Sequence, residues 1–172
     1  MDSINQLIKK LASLIIEKNK TLDNIKFLGI QPKGYFITKR LQKEIQTITQ
    51  KNIKIGSLEP SLFKQKNQSE SYITLEKTNI PFSIDEQHII IIDAIINTGD
   101  TMKAALILLS DMGKPTKIEI ATLMQTANKQ FPISTTYCSK TTTIKKNTPM
   151  RINLLEINGE DKIESPQPIS KD

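Results

Sequence analysis

Four consecutive isoleucines, Ile89 to Ile92, run into Asp93, and a few residues later the chain turns through Asn97-Thr98-Gly99-Asp100-Thr101 into a helical pattern. A strand that is half solvated alternates apolar and polar residues, whereas a strand covered on both faces is apolar at every position. The run therefore predicts a central strand of a parallel sheet over 89–93, and with it an α/β architecture in which helices cover both faces.

The flanking sequence supplies those helices. Ser3 and Gln6 form a capping box, and Ile4, Leu7, Ile8, Leu11 and Ile15 recur at helical spacing to about Lys18. Residues 25–30 predict a strand stopped by Gln31-Pro32-Lys33-Gly34, after which Ile37, Leu41, Ile45 and Ile48 mark a second helix. A strand is expected over 53–58, a polar surface loop over 64–70, a helix over 100–112 ended by Gly113 and Pro115, and a strand over 117–124. Weaker strand signals cover 135–139 and 152–157. One domain over 1–158 is expected, followed by a fraying tail over 159–172 that holds two prolines and polar residues.

Composition excludes several chemistries. The 172 residues contain one cysteine, Cys138, and one histidine, His88, far apart, so no Cys/His zinc spacing and no supported Cys-His dyad exist. A lone cysteine also fits a reducing, cytoplasmic setting. No G-x-S-x-G elbow is present, and no uninterrupted apolar run approaches membrane-spanning length. The net charge of +6 suits phosphate-bearing ligands or a weak nucleic-acid surface, to which Lys9-Lys10, Lys39-Arg40 and Lys145-Lys146 would contribute. Scattered lysine pairs more often just solvate a surface.

In open α/β sheets ligands bind beyond the carboxyl ends of the strands, where a helix N-terminus offers unpaired N–H groups to an anion. Residues 97–101 stand at such a place, and two threonine hydroxyls with a permissive glycine make a phosphate cradle. Neither a Walker A loop nor a G-x-G-x-x-G fingerprint occurs. The local residues alone fit a plain strand-turn-helix with a threonine N-cap just as well.

An acid followed by T-G-x-T after an apolar strand resembles the ribose-phosphate motif of type I phosphoribosyltransferases. Further stretches are similar to the PyrR family, the pyrimidine-operon attenuators that are also uracil phosphoribosyltransferases: the segment from Gly29 to Leu41 resembles its strand, pyrophosphate loop and helix, Gly56 to Phe63 the entry to its flexible loop, Ile80 to Ile84 the approach to its central strand, and Phe131-Pro132-Ile133 the segment after its last core strand. The resemblance spans roughly 4–157. It implies a mostly parallel sheet flanked by helices with a small hood, and transfer of phosphoribose from phosphoribosyl pyrophosphate to uracil, giving UMP and pyrophosphate.

On this resemblance Asp93 is the catalytic and ribose-binding acid, and Asn97, Thr98, Gly99, Asp100 and Thr101 hold the 5′-phosphate. Pro32, Lys33 and Gly34 form the pyrophosphate loop, and Lys64 stands in the flexible loop. Mg2+ would arrive on phosphoribosyl pyrophosphate, with no dedicated protein ligands. A cytoplasmic homo-oligomer that contacts mRNA is implied as well. The chain departs from the family at Ala94, where a second acid is usual, at Lys64-Gln65-Lys66, where the family carries an arginine and acids, and at Gln125 to Lys129, where it carries Asp-Arg-Gly-His-Arg. A degenerate homologue, catalytically weak or inactive, that senses a nucleotide or phosphoribosyl pyrophosphate and regulates through RNA is the alternative.

Overall fold

A computed structural model describes residues 3–61, 77–127, 129–143 and 150–164. Helix α1, Ile4–Lys18, starts at the expected box: Ser3 N donates to Gln6 Oε1 at 2.7 Å and Gln6 N to Ser3 Oγ at 3.2 Å. Strand β1, Ile25–Ile30, leads to helix α2, Lys33–Thr49, and then to strand β2, Lys54–Leu58. Strand β3, His88–Ile96, helix α3, Asp100–Met112, and strands β4, Lys117–Thr126, and β5, Tyr137–Thr142, follow. Strand β6, Arg151–Asn153, the single helical turn α4, Leu155–Asn158, and strand β7, Lys162–Glu164, complete the described chain.

The main sheet has the order β2-β1-β3-β4-β5 and every pairing in it is parallel. The isoleucine run lies at its centre, as an apolar strand should. Alternation within the run divides the core: Ile90 and Ile92 pack in the cluster with α1 and α2, while Ile89 and Ile91 pack with Met102, Ala105 and Leu109 of α3. All four side chains are fully buried. By the same parity Asp93 belongs to the α3 face, and Ala94 joins the α1/α2 cluster.

Several boundaries differ from the sequence reading. Strand β3 continues three residues past Asp93, because Ile95 and Ile96 find parallel partners in Met124 and Gln125 of β4. Strand β5 runs later than 135–139, since its ladder with β4 extends through Thr141 and Thr142. Residues 152–157 form no single strand: β6 ends at Asn153, and the turn of α4 is closed by Gly159 at φ 77°. Residues 159–164, assigned above to the tail, are tied down by the antiparallel β6–β7 pair, with Ile152 opposite Ile163. The polar loop at 64–70, with Lys64, lies outside the described residues, as do Lys145 and Lys146.

The β6–β7 pair is the small hood. Met150, Ile152 and Leu154 insert into the α1/α2 cluster. A second tie is ionic: Arg40 of α2 donates from Nε and Nη2 to Glu156 at 2.9 and 2.6 Å, and from Nη1 and Nη2 to Asp161 at 2.6 and 2.8 Å. This paired geometry fixes orientation as well as distance. Its hydrogen bonds hold both carboxyls below their usual range and the guanidinium above its own.

Candidate functional site

Parallel pairing sets the carboxyl ends of β1 and β3 side by side, so Gln31 and Asn97 emerge at one edge of the sheet. Here the structure brings together the residues named from sequence on both loops. Helix α2 begins at Lys33, which leaves Gln31-Pro32 as the loop and puts Lys33 and Gly34 in the first helical turn. Gly34 allows that turn to rest on the central strand: a Cβ there would lie 2.5 Å from the Ile92 carbonyl oxygen and 3.2 Å from Asp93 Cα. No other residue fits without moving backbone.

On the other side of Asp93, Gly99 takes φ +88° as the N-cap of α3, and no side chain caps that helix end. A threonine N-cap is therefore not what starts α3. Thr98 Oγ1 instead accepts from Asp100 N at 3.3 Å, and the Thr98 carbonyl accepts from Gln130 N and Phe131 N at 2.9 and 3.1 Å. Asp100 N is thus engaged locally, and beyond it no side chain caps the N-terminus of α3. Asp100, in the first turn, is paired with Lys103 Nζ at 3.2 Å, and that ammonium lies 4.1 Å from the Phe131 ring centre.

Two adjoining cavities result. The first, about 260 Å3, is lined by Asp93 and by Asn97, Thr98, Gly99, Asp100 and Thr101. The second, about 250 Å3, lies between the first loop and the hood, with Gln31, Pro32 and Lys33 on one wall and Met150, Arg151 and Ile152 on another. Asp93, Ile95 and Thr101 line both. Ala94 lines the second alone, where an acid at that position would stand. Asp93 Oδ1 accepts from Ala94 N at 2.7 Å, which orients the carboxylate at the junction.

Gln31 Oε1 is buried without a hydrogen-bond partner among the described residues, on the wall of the second cavity. A buried acceptor left unpaired costs about 1–3 kcal/mol, a cost that a ligand donor would relieve. Sequence reading did not assign Gln31, Met150, Arg151 or Ile152 to the site. Only a weak strand signal over 152–157 was visible, and nothing in it points back to a loop more than a hundred residues earlier.

The altered stretch begins within the end of β4, and its described side chains hold this edge and the loop that follows. Gln125 Nε2 donates to Thr141 Oγ1 at 3.0 Å and Gln125 Oε1 accepts from Thr135 Oγ1 at 2.8 Å, while Lys129 Nζ donates to the Ile133 carbonyl at 2.7 Å. Among the described residues no group of three or more His, Cys, Asp or Glu side chains converges to hold a metal ion. Asp93 is the one carboxylate lining the second cavity, a donor set that suits a cation carried in by a diphosphate better than a resident one.

The family described as phosphoribosyl transferase domain matches residues 1–153. Among curated relatives, the bifunctional protein PyrR of Elusimicrobium minutum is 33% identical over 163 residues, covering 94% of this chain and 91% of that protein. The bifunctional protein PyrR of Bacillus cereus is 30% identical over 163 residues, covering 93% and 91%. Among solved structures, a purine phosphoribosyltransferase from Pyrococcus horikoshii superposes with a TM-score of 0.59 at 17% identity, over 81% of this chain and 82% of that one. At that identity the likeness shows the fold.

Proposed function

The chain belongs to the PyrR family of phosphoribosyltransferases, and we propose that it transfers the phosphoribosyl group of phosphoribosyl pyrophosphate to uracil, and that it couples nucleotide binding to regulation of pyrimidine genes through mRNA. One observation carries the catalytic reading: two cavities meet at Asp93, one walled by the N-terminus of α3 and the other by the first turn of α2. A sugar bearing an anion at each end needs such a double site.

In this reading Thr98, Gly99 and Thr101, with Asn97 and Asp100 beside them, hold the 5′-phosphate through backbone N–H groups and hydroxyls. Asp93 accepts from a ribose hydroxyl. Pro32 and Lys33 face the pyrophosphate, where the lysine offers charge, and Gly34 seats that first turn against the central strand beside Asp93. A bond forms between uracil N1 and C1 of the sugar as the C1–O bond to pyrophosphate breaks, and the N1 proton leaves to solvent or to the departing pyrophosphate. Charge builds on the ribose in the transition state, so an acid fixed beside the diol and cations fixed beside the leaving group act where they are worth most. Mg2+, entering on phosphoribosyl pyrophosphate, would neutralise part of the diphosphate charge next to Asp93.

Ala94 bears on how the two activities are balanced. It withholds one carboxylate from the ribose, a contact worth about 1.5–3 kcal/mol when charge-assisted. Binding through the phosphate cradle is untouched by that loss, which favours the nucleotide-sensing role over fast turnover. Incubation with Mg2+, phosphoribosyl pyrophosphate and each nucleobase is expected to yield UMP from uracil. No nucleotide from any base at high protein concentration would remove the enzymatic claim. With pyrimidine-operon leader RNA, salt-dependent binding strengthened by UMP is expected, and equal binding of any RNA regardless of UMP would remove the regulatory one.

A further inference from the structure

The second cavity contains a cation that sequence reading did not assign. Arg151, the first residue of β6, and Lys33, in the first turn of α2, line it together, and Asp93 is its sole carboxylate. Neither Lys33 nor Arg151 makes an ion pair among the described residues. Arg40 is the instructive contrast: its guanidinium, on the same helix as Lys33, is consumed by Glu156 and Asp161 of the hood. That clamp fixes the hood on α2, and so fixes the wall bearing Arg151 relative to the wall bearing Lys33.

We infer that Arg151 is a specificity residue for the diphosphate end of the substrate, closing with Lys33 a two-cation clamp across the second cavity. The inference deepens the phosphoribosyltransferase reading and rests on it. Two cationic residues lining one cavity favour a polyanion over a monoanion, and a guanidinium adds a planar fork of donors that can take two phosphate oxygens at once. The unpartnered acceptor of Gln31 on the same wall calls for a donor such as a sugar hydroxyl, so it marks the cavity as fitting the ribose beside the diphosphate and not the diphosphate itself. The first cavity, holding the 5′-phosphate, lacks both Lys33 and Arg151. Discrimination between a ribose bearing one anionic end and a ribose bearing two is thereby assigned to the hood.

Calorimetric titration of the full chain with three ligands tests this: inorganic pyrophosphate with Mg2+, phosphoribosyl pyrophosphate with Mg2+, and UMP. Arg151→Gln is expected to weaken pyrophosphate and phosphoribosyl pyrophosphate about ten- to hundredfold, with UMP changed less than about twofold, and Arg151→Lys is expected to recover part of the loss. Arg151 is exposed, so the variants should fold, and an unchanged melting temperature checks this. Equal weakening of all three ligands, or none, overturns the clamp. Wild-type protein that binds UMP but neither diphosphate ligand also overturns the clamp while leaving the phosphate cradle standing. Wild-type protein that binds none of the three overturns the underlying reading as well.

Discussion

Ala94 and Thr98 show how single residues set what this site can do. Ala94 is buried, with 4% of its surface exposed, and packs with the α1/α2 cluster while lining the second cavity. An aspartate there would sit between core and ligand. Ala94→Asp is therefore expected to tighten phosphoribosyl pyrophosphate by up to about ten- to hundredfold and at the same time lower the melting temperature, because a carboxylate replaces a buried methyl group. The affinity gain should need the diol and vanish with a dideoxy analogue. Thr98→Val should weaken every 5′-phosphorylated ligand, since it removes a hydroxyl and keeps the shape. Calorimetry that finds folded forms of both variants indifferent would reduce residues 93–101 to a strand, a turn and a helix.

Among the elements, the hood depends most on one side chain. Strands β6 and β7 have only three residues each, too few to hold themselves, so attachment comes from Ile152, Leu154 and the Arg40 clamp. Arg40→Ala would leave Glu156 and Asp161 without their cation, and a loss of about 1–3 kcal/mol in hood attachment is expected. Exchange of the amides paired between β6 and β7 should accelerate while exchange in β3 stays as it was. Glu156 and Asp161 have folded-state pKa values below their unfolded ones. Their contribution is therefore present above the unfolded carboxylate range and declines as pH falls through the folded values. Exchange that rises uniformly through the sheet would mean that the clamp supports the whole fold and not the hood.

At the scale of the molecule, the end of the sheet away from the site is held by one buried carboxylate. Glu119 on β4 is 5% exposed, accepts from Tyr137 Oη at 2.7 Å, lies 2.8 Å from His88 Nε2, and pairs with Lys117 at 2.7 Å and Lys18 at 3.4 Å. It links α1, β3, β4 and β5. Burial pushes its carboxyl pKa up, yet the hydrogen bonds from Lys117, Tyr137 and His88 outweigh burial and bring it down to about 2. A folded pKa below the unfolded one near 4.5 means stability that is full above about pH 4.5 and lost between there and about pH 2. The linkage is on the order of 3 kcal/mol, and Glu119→Gln should remove most of the difference between melting at pH 7 and at pH 3. An unchanged pH dependence in that variant would assign acid sensitivity elsewhere.

The sequence by itself determined the central strand, because continuous apolar β-branched residues leave a strand no solvent face. It determined the capped start of α1, the span of α3 and the place of the turn at 97–101, all of which depend on neighbours within a few residues. Tertiary structure alone decided that β3 runs on to Ile96, since the extra ladder comes from β4, and that residues 159–164 leave the tail to pair with β6. It alone decided that Arg40 is spent on the hood while Arg151 and Lys33 face one cavity. Charges of one sign look alike along a chain, and what separates a clamp from a ligand contact is which carboxylates distant folding brings within reach.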